Sequence, residues 1–312
     1  MNKKDYAINK EFFPFNHFTP PMNRTAIRQA QKTMRPPKSL WRDPDLVVRS
    51  VRIPVYQGGE IDMLLIGPRE LVLPAPCFLD LHGGGFVFEA FTSHYRHAAA
   101  YAKEGRCMVA FPLYRLAPSF PYPYPQEDAY AALAWLYAHA DEEGIDPKRI
   151  GIGGDSAGGM LAVTSCLMAR DRGAGFMPRF QLLIYPFLDD SKQSDSYQTY
   201  TDTPMWNSSL SKAVGPMVNP HPEEIPLAYR SPAEAEDLSG LPPAYIEVAE
   251  FDPLHDDGIL FTRLLNENGI VAELHETTGT MHGFDTKVTA PTSKKMVSER
   301  AAYIRQMFYT GG

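Results

Sequence analysis

The chain contains little cysteine: Cys77, Cys107 and Cys166 are the only 3 among 312 residues. An odd number cannot all pair within one chain, and each of these residues lies in an apolar stretch. Cysteines of this kind usually pack as small hydrophobic side chains. The sequence therefore predicts neither a disulfide framework nor a catalytic thiol, and it favours a reducing, cytoplasmic setting.

Long apolar runs and runs of one charge are also missing. No stretch approaches the ~18 apolar residues that a membrane span needs, and no apolar segment follows Lys3 and Lys4 as a secretory signal would require. The net charge of −7 is spread over segments of mixed sign, without a basic run that could neutralise a phosphate backbone. We therefore expect no membrane span and no nucleic-acid partner.

What the sequence does contain is a repeated alternation of apolar strands with amphipathic helices. Strands are predicted at 47–57, 61–67, 77–81, 106–113, 149–153, 180–185, 244–248 and 271–275, the first two as a hairpin. Helices are predicted at 126–143, 157–172, 258–268 and 293–308. Such alternation is typical of an α/β fold, with a mostly parallel central sheet covered by helices on both faces.

Two segments depart from this alternation. Residues 1–45 are rich in aromatic side chains and proline, and we expect them to form an N-terminal cap arm in front of a catalytic domain at 46–312. Between 189 and 240 the periodicity is lost, apart from a short helix near 208–214. Because structureless loops longer than ~15 residues are uncommon, this segment is predicted to contribute to a lid.

Ser156 lies in Gly154-Asp155-Ser156-Ala157-Gly158, between an apolar strand and a helical pattern. A serine on so sharp a turn needs neighbours without a Cβ, which explains the flanking glycines. The pattern alone is weak, since a glycine-rich turn supplies it by chance in roughly one chain in ten of this length. A dinucleotide-binding loop is the other alternative, but the third glycine of that fingerprint is missing.

A second motif, His82-Gly83-Gly84-Gly85, follows the strand at 77–81. Three consecutive glycines reduce stability through their conformational entropy, but they allow bare backbone N–H groups to approach a ligand closely. A run after the third strand of a G-x-S-x-G fold supplies N–H donors for an oxyanion. The alternative is a plain flexible turn.

The base and acid that Ser156 requires are sought after it in the sequence. His282 follows the last predicted strand on a loop, at the sheet edge where Ser156 emerges. Asp252 directly follows the strand at 244–248, with Glu250 as the fallback. Asp252, with His255 and the next two aspartates, could also suggest a metal, but no second ligand pair accompanies them, so no metal site is predicted.

These motifs together resemble the hormone-sensitive-lipase-like carboxylesterases of the α/β-hydrolase fold over roughly residues 60–310. The resemblance rests on the glycine run after His82, on Gly154-Asp155-Ser156-Ala157-Gly158-Gly159, on Asp252-Pro253-Leu254 and on His282-Gly283-Phe284. Tyr114-Arg115-Leu116-Ala117-Pro118 is also similar to a family segment. Ser119 and Met160 depart from it, because the family usually has Glu and often Asn there.

The resemblance implies a helical cap, short- to medium-chain acyl esters as the small-molecule substrates, and no cofactor. It implies Ser156 as nucleophile, His282 as base and Asp252 as the residue that orients the base. The amides of Gly83, Gly84 and Ala157 would form the oxyanion hole.

Several alternatives remain open from the sequence. An amidase, peptidase or lactonase would need the same machinery, whereas a non-catalytic ligand receptor would need none of it. An acetyl ester of a bulky alcohol is one substrate hypothesis. An edge strand near Val271–His275 would offer a surface for a homodimer.

Overall fold

A computed structural model describes residues 6–13, 15 and 18–310, and its centre is one eight-stranded sheet. The strand order is β1-β2-β4-β3-β5-β6-β7-β8. The strands are β1 Leu46–Val55, β2 Gly59–Pro68, β3 Ala75–Leu81, β4 Met108–Pro112, β5 Ile145–Asp155, β6 Gln181–Ile184, β7 Ala244–Phe251 and β8 Ala272–Met281.

The sheet is antiparallel only at its beginning. Strands β1 and β2 form the predicted hairpin, and β2 runs antiparallel to β4. From β4 to β8 all neighbouring strands are parallel. The carboxyl ends of β3, β5, β7 and β8 therefore meet at one edge of the sheet, which is where ligands bind in such folds. The predicted fold class is confirmed.

The helices cover both faces of the sheet. They are α1 Arg24–Thr33, α2 Lys38–Trp41, α3 Thr92–Gly105, α4 Tyr124–Ala138, α5 Ala140–Glu143, α6 Ala157–Asp171, α7 Asp195–Thr199, α8 Ser208–Val218, α9 Leu227–Arg230, α10 His255–Glu267 and α11 Pro291–Tyr309. Side chains alternate along each strand. Cys77 and Leu79 of β3 pack in the core with α4, α6 and α10, while Phe78 packs with α3 and α11.

The predicted arm docks on the core through α1. Ile27 of α1 is fully buried. The side-chain amide of Gln31 donates to the carbonyl oxygens of Val87 and Ala117, both at 2.8 Å. The arm residues 1–5, 14, 16 and 17 lie outside the described residues. The short helices α7, α8 and α9 all fall in the segment predicted as a lid.

Two differences from the sequence prediction affect the surroundings of Ser156. Helix α3 received no bounds from the sequence, because polar Ser93, His94 and His97 occupy buried positions and interrupt its apolar pattern. Strand β8 continues to Met281, well beyond the predicted end at 275. His282 therefore follows the strand directly and lies at the edge of the sheet. Within the described part of the chain, no helix has the length and apolar character to cross a membrane.

Candidate active site

Ser156 occupies the sharp turn between β5 and α6. Its backbone has φ 55° and ψ −116°, a conformation that is strained for a residue with a side chain. A Cβ on Gly154 or Gly158 would overlap the carbonyl oxygen of Leu81. The two glycines are therefore required by the close approach of β3 to this turn. The strain turns the serine hydroxyl outward from the sheet edge.

The structure brings the three residues predicted as nucleophile, base and acid into one hydrogen-bonded chain. The Nε2 atom of His282 lies 2.9 Å from the Ser156 hydroxyl, and its Nδ1 lies 2.7 Å from Oδ2 of Asp252. The other carboxylate oxygen, Oδ1, accepts the amide of Leu254 at 2.8 Å. Asp252 is fully buried, and Ser156 and His282 are each 6% exposed. The imidazole can accept the serine proton while the carboxylate fixes its orientation.

The other carboxylates that the sequence placed near this site have different partners. Glu250, the fallback acid, accepts the amide of Gly279 at 2.7 Å. Asp256 accepts the amide of Ser196 and contacts the ring of His255. Asp257 accepts two amides of the chain after β6, and burial raises its pKa well above the ordinary value. These contacts hold loops in place, and among these carboxylates only Asp252 reaches His282.

The glycine run after β3 lies beside Ser156, but one predicted donor is wrong. The Gly83 amide already donates to Oδ1 of Asp155 at 2.8 Å, so it is not available to a substrate oxygen. Within the described residues, the amides of Gly84 and Gly85 have no acceptor. Gly85 and Ala157 both line the cavity that contains Ser156. The amides of Gly84, Gly85 and Ala157 are therefore the candidate donors for an oxyanion at Ser156.

Asp155 fixes the position of the glycine run. Its second oxygen lies 3.3 Å from Nε2 of His94 on α3. Burial alone would raise the pKa of Asp155, but the charge and hydrogen bond of His94 outweigh burial and lower it. Burial conversely depresses the pKa of His94, and Asp155 more than compensates and raises it. The two side chains form a buried ion pair that holds the Gly83 amide.

His82 precedes the glycines and packs inside the protein. Its Nδ1 lies 2.7 Å from the Gly83 carbonyl oxygen, and its ring stacks on Tyr114 at 4.3 Å. Burial lowers the pKa of His82 to about 3, so the ring is neutral near pH 7. This histidine therefore orders the loop.

A second buried charge cluster supports the loop of His282. Arg300 of α11 is fully buried and donates to both oxygens of Glu247 and, at 2.6 Å, to Asp285. Asp285 also accepts the hydroxyl of Tyr185 at 2.7 Å, and the Tyr185 ring lies 4.7 Å from the ring of His282. Burial would raise the pKa of Asp285, but Arg300 outweighs it and lowers that pKa.

The Ser156 hydroxyl opens into a cavity of about 510 Å³ between the sheet edge and the segment at 189–240. Most of its lining is apolar or aromatic, with a few charged residues. The lining residues are Gly85, Phe86, Tyr122, Ser156, Ala157, Phe187, Asp190, Lys192, Trp206, Ser211, Lys212, Val214, Gly215, Pro216, Val218, Asn219, Pro220, Pro222 and Leu254. A cavity of this size and character suits a small organic molecule.

Metal-ligand side chains converge at one place within the described residues, His221 with Glu223 and Glu224. All three are exposed, and exposed acidic groups are common without a bound ion. They contact none of the three residues of the hydrogen-bonded chain. The chemistry available at Ser156 is therefore that of a hydroxyl, an imidazole, a carboxylate and backbone amides.

Sequence reasoning missed three residues of this site. Asp155 stands beside the nucleophile in the motif, and its position there was the available signal. Gly85 was the third member of a glycine run of which only the first two were assigned. Trp206 lies in the lid segment, where no motif or periodicity pointed to it.

The chain is similar in sequence to known esterases and to one protein family. Residues 78–286 match the family model described as alpha/beta hydrolase fold. Esterase LipI of Mycobacterium tuberculosis is 38% identical over 214 residues, which cover 67% of this chain and 66% of LipI, slightly less than two thirds of that protein. Carboxylesterase NlhH of the same species is 37% identical over 268 residues, covering 84% of this chain and 81% of NlhH.

The comparison with solved structures extends over nearly the whole chain. The structure of a bacterial heroin esterase superposes with a TM-score of 0.87 at 32% sequence identity. The superposition covers 97% of this chain and 99% of the esterase. The likeness therefore includes both the predicted arm and the lid segment.

Proposed function

This chain belongs to the hormone-sensitive-lipase-like carboxylesterases, the serine ester hydrolases of the α/β-hydrolase fold, and we propose that it hydrolyses short- to medium-chain acyl esters at Ser156. The observation that carries this proposal is the hydrogen-bonded chain from Ser156 through His282 to Asp252. It opens into a largely apolar cavity of about 510 Å³. The hydroxyl of Ser156, the imidazole of His282 and the carboxylate of Asp252 are thus aligned beside a cavity that can bind an acyl group.

The reaction would proceed in two acyl-transfer steps. The oxygen of Ser156 attacks the ester carbonyl carbon while Nε2 of His282 takes the hydroxyl proton. The tetrahedral intermediate collapses, the carbon–oxygen bond to the alcohol breaks, and His282 returns the proton to the departing alcohol. Water then attacks the acyl-enzyme by the same sequence and releases the acid. Asp252 stabilises the imidazolium that forms in each step.

The negative charge of each intermediate would be held by the amides of Gly84, Gly85 and Ala157. The free amides of the glycine run and the place of Ala157 at the start of α6 support this assignment. A helix N-terminus adds a partial positive charge at that point. Each such donor contributes typically ~10²–10³-fold to turnover in related chemistry.

The test is hydrolysis of p-nitrophenyl esters, from acetate to decanoate, by the wild-type enzyme and Ser156→Ala. We expect the wild type to be active on the shorter esters and the variant to lose ~10⁶-fold in kcat. Ser298→Ala, on the exposed side of α11, is the matched control and should keep full activity. Wild-type inactivity at every length, or undiminished turnover by Ser156→Ala, would overturn the proposal.

An amidase, peptidase or lactonase would use the same residues. Steady-state rates on an ester and an amide with the same acyl group distinguish the first two from an esterase, and a γ-lactone tests the third. We expect the ester to be hydrolysed fastest, because its alcohol leaves more readily than an amine. A non-catalytic receptor would bind esters and leave them intact.

Three further parts of the proposal concern the protein as a whole. Residues 1–45 and 189–240 would form the cap over a catalytic domain at 46–312, with lid residues along one side of the cavity as support. The free, buried state of Cys77, Cys107 and Cys166 supports a reducing, cytoplasmic setting. Exposed Val271 and Leu274 at the β8 edge support a homodimer, which light scattering after size-exclusion chromatography would test.

A further inference from the structure

Trp206 belongs to the segment at 189–240, and its ring faces the two loops that carry Gly85 and His282. Its indole packs on Gly85 so closely that a Cβ on this glycine would lie 2.5 Å from the ring atom Cη2. The ring centroid is 6.3 Å from that of His282. The indole therefore covers the oxyanion loop at the side of the cavity where an acyl group bound to Ser156 would begin.

The indole is held in one orientation by its own segment. The indole Nε1 donates to the hydroxyl of Ser211 on α8 at 2.8 Å. The backbone carbonyl oxygen of Trp206 accepts the hydroxyl of Thr203 at 2.9 Å. The next residue, Asn207, caps α8 by accepting the amide of Leu210. The preceding residue, Met205, has a left-handed φ of 65°, which sets the direction in which the chain enters the helix. A wall fixed at both its backbone and its ring does not easily move aside.

We propose that Trp206 sets the upper limit on acyl chain length in this enzyme. The inference rests on the ester hydrolysis proposed above. With the carbonyl oxygen of the acyl-enzyme at the amides of Gly84, Gly85 and Ala157, the proposal places the acyl chain on the Gly85 side of the cavity, where Trp206 lies. Trp206 occupies the space beyond Gly85, and a longer chain meets the indole there. The proposal places the leaving alcohol on the other side of the carbonyl carbon, away from the indole.

The size of the effect follows from the burial of methylene groups. Each methylene that the cavity accepts contributes ~0.8 kcal/mol, or about fourfold in kcat/KM. A methylene that meets a fixed wall loses this gain and adds a steric cost, so discrimination at the limit is ~10-fold or more for each carbon. Removing the wall should restore the gain for the longer chains.

The experiment compares the wild type with Trp206→Ala on p-nitrophenyl esters from acetate to dodecanoate, so that only the acyl group varies. We expect the preferred length to rise by several carbons, with kcat/KM for decanoate relative to butyrate increasing ~10-fold or more, chiefly through a lower KM. A second series of acetate esters with alcohols of increasing size should keep its wild-type order. Trp41→Ala removes an exposed tryptophan of α2 and is the matched control.

Each result decides the inference. An unchanged acyl profile in Trp206→Ala, or a shift confined to the alcohol series, would overturn it and leave the chemistry at Ser156 untouched. Wild-type inactivity on all esters would instead overturn the proposed function. If Trp206→Ala does not fold, Trp206→Phe and Ser211→Ala replace it. The smaller ring and the unanchored indole should each raise the longest accepted chain, and a wild-type profile in both would contradict the role.

Discussion

Replacing Asp155 tests whether the residue beside the nucleophile positions the oxyanion loop. Asn keeps an oxygen that can accept the Gly83 amide, which lies 2.8 Å away, but loses the charge that pairs with His94. Ala removes both. In Asp155→Ala the Gly83 amide is left without its acceptor, which costs ~1–3 kcal/mol, and the neighbouring glycines are free to shift. Displacement of catalytic groups by ~1 Å can lower the rate ~10²-fold.

We therefore expect kcat to fall ~100-fold in Asp155→Ala and less than ~10-fold in Asp155→Asn, with KM changing little in either. The assay is steady-state hydrolysis of p-nitrophenyl butyrate, together with urea unfolding of each variant. A merely structural role would lower the stability of both variants without separating their kcat values. Wild-type turnover by Asp155→Ala would refute the positioning role.

The pH dependence of stability adds a second check on the same pair. The pKa of His94 is raised above its ordinary 6.5, so the stability it contributes is fully present below pH 6.5 and is lost as the pH rises through the raised value. The pKa of Asp155 is lowered from 3.8, so its contribution is present above pH 3.8 and is lost as the pH falls. The unfolding free-energy difference between wild type and Asp155→Asn should be largest between these values. A difference that grows above pH 6.5 would contradict the ion pair.

Two further predictions concern buried charges away from the nucleophile. Burial, followed by the charge of Asp155, raises the pKa of Asp80 to about 8 from 3.8, so the wild type loses stability as the pH rises from 4 to 8. Asp80→Asn should remove this loss. In urea unfolding at four pH values, the free energy of unfolding of the variant relative to the wild type should increase by ~1.4 kcal/mol per pH unit. A difference between the two proteins that does not change with pH would contradict the prediction. Arg300→Met leaves Glu247 and Asp285 buried without their cation. We therefore expect the free energy of unfolding to fall by ~3–5 kcal/mol, which thermal unfolding would show as a lower Tm. An unchanged Tm would refute this prediction.

The positions of Ser156, Asp252 and His282 could be predicted because local rules define each one. A serine between glycines on a strand-to-helix turn, and polar residues just after apolar strands, can be recognised from neighbouring residues alone. The order of these segments along the chain then brings them to one sheet edge. The parallel sheet followed from the same alternation, because strands joined by helices run in one direction.

The prediction that the Gly83 amide belongs to the oxyanion hole was wrong, and the sequence gives no sign of its real partner. A glycine run shows that backbone must approach something closely, but not which N–H faces the ligand and which faces the protein. Asp155 accepts the Gly83 amide because His94 of α3 contacts its other carboxylate oxygen and fixes its position. The bounds of helix α3 could not be predicted for a similar reason, since its buried histidines have partners in other segments. Helices α7 and α9 of the segment at 189–240 were not predicted, because they are too short to show a periodicity and are held by tertiary contacts, such as that of the Ser196 amide with Asp256.

The buried contact of Arg300 with Glu247 and Asp285 also bears on how the protein is made. During synthesis both carboxylates leave the ribosome before the guanidinium that neutralises them. Until α11 docks, Glu247 in the middle of β7 and Asp285 in the loop after His282 would have to remain hydrated or protonated, since unpaired buried charges are strongly unfavourable. His282 would therefore reach its final position late in folding. A nascent chain that ends before residue 300 should contain the serine turn but no working site.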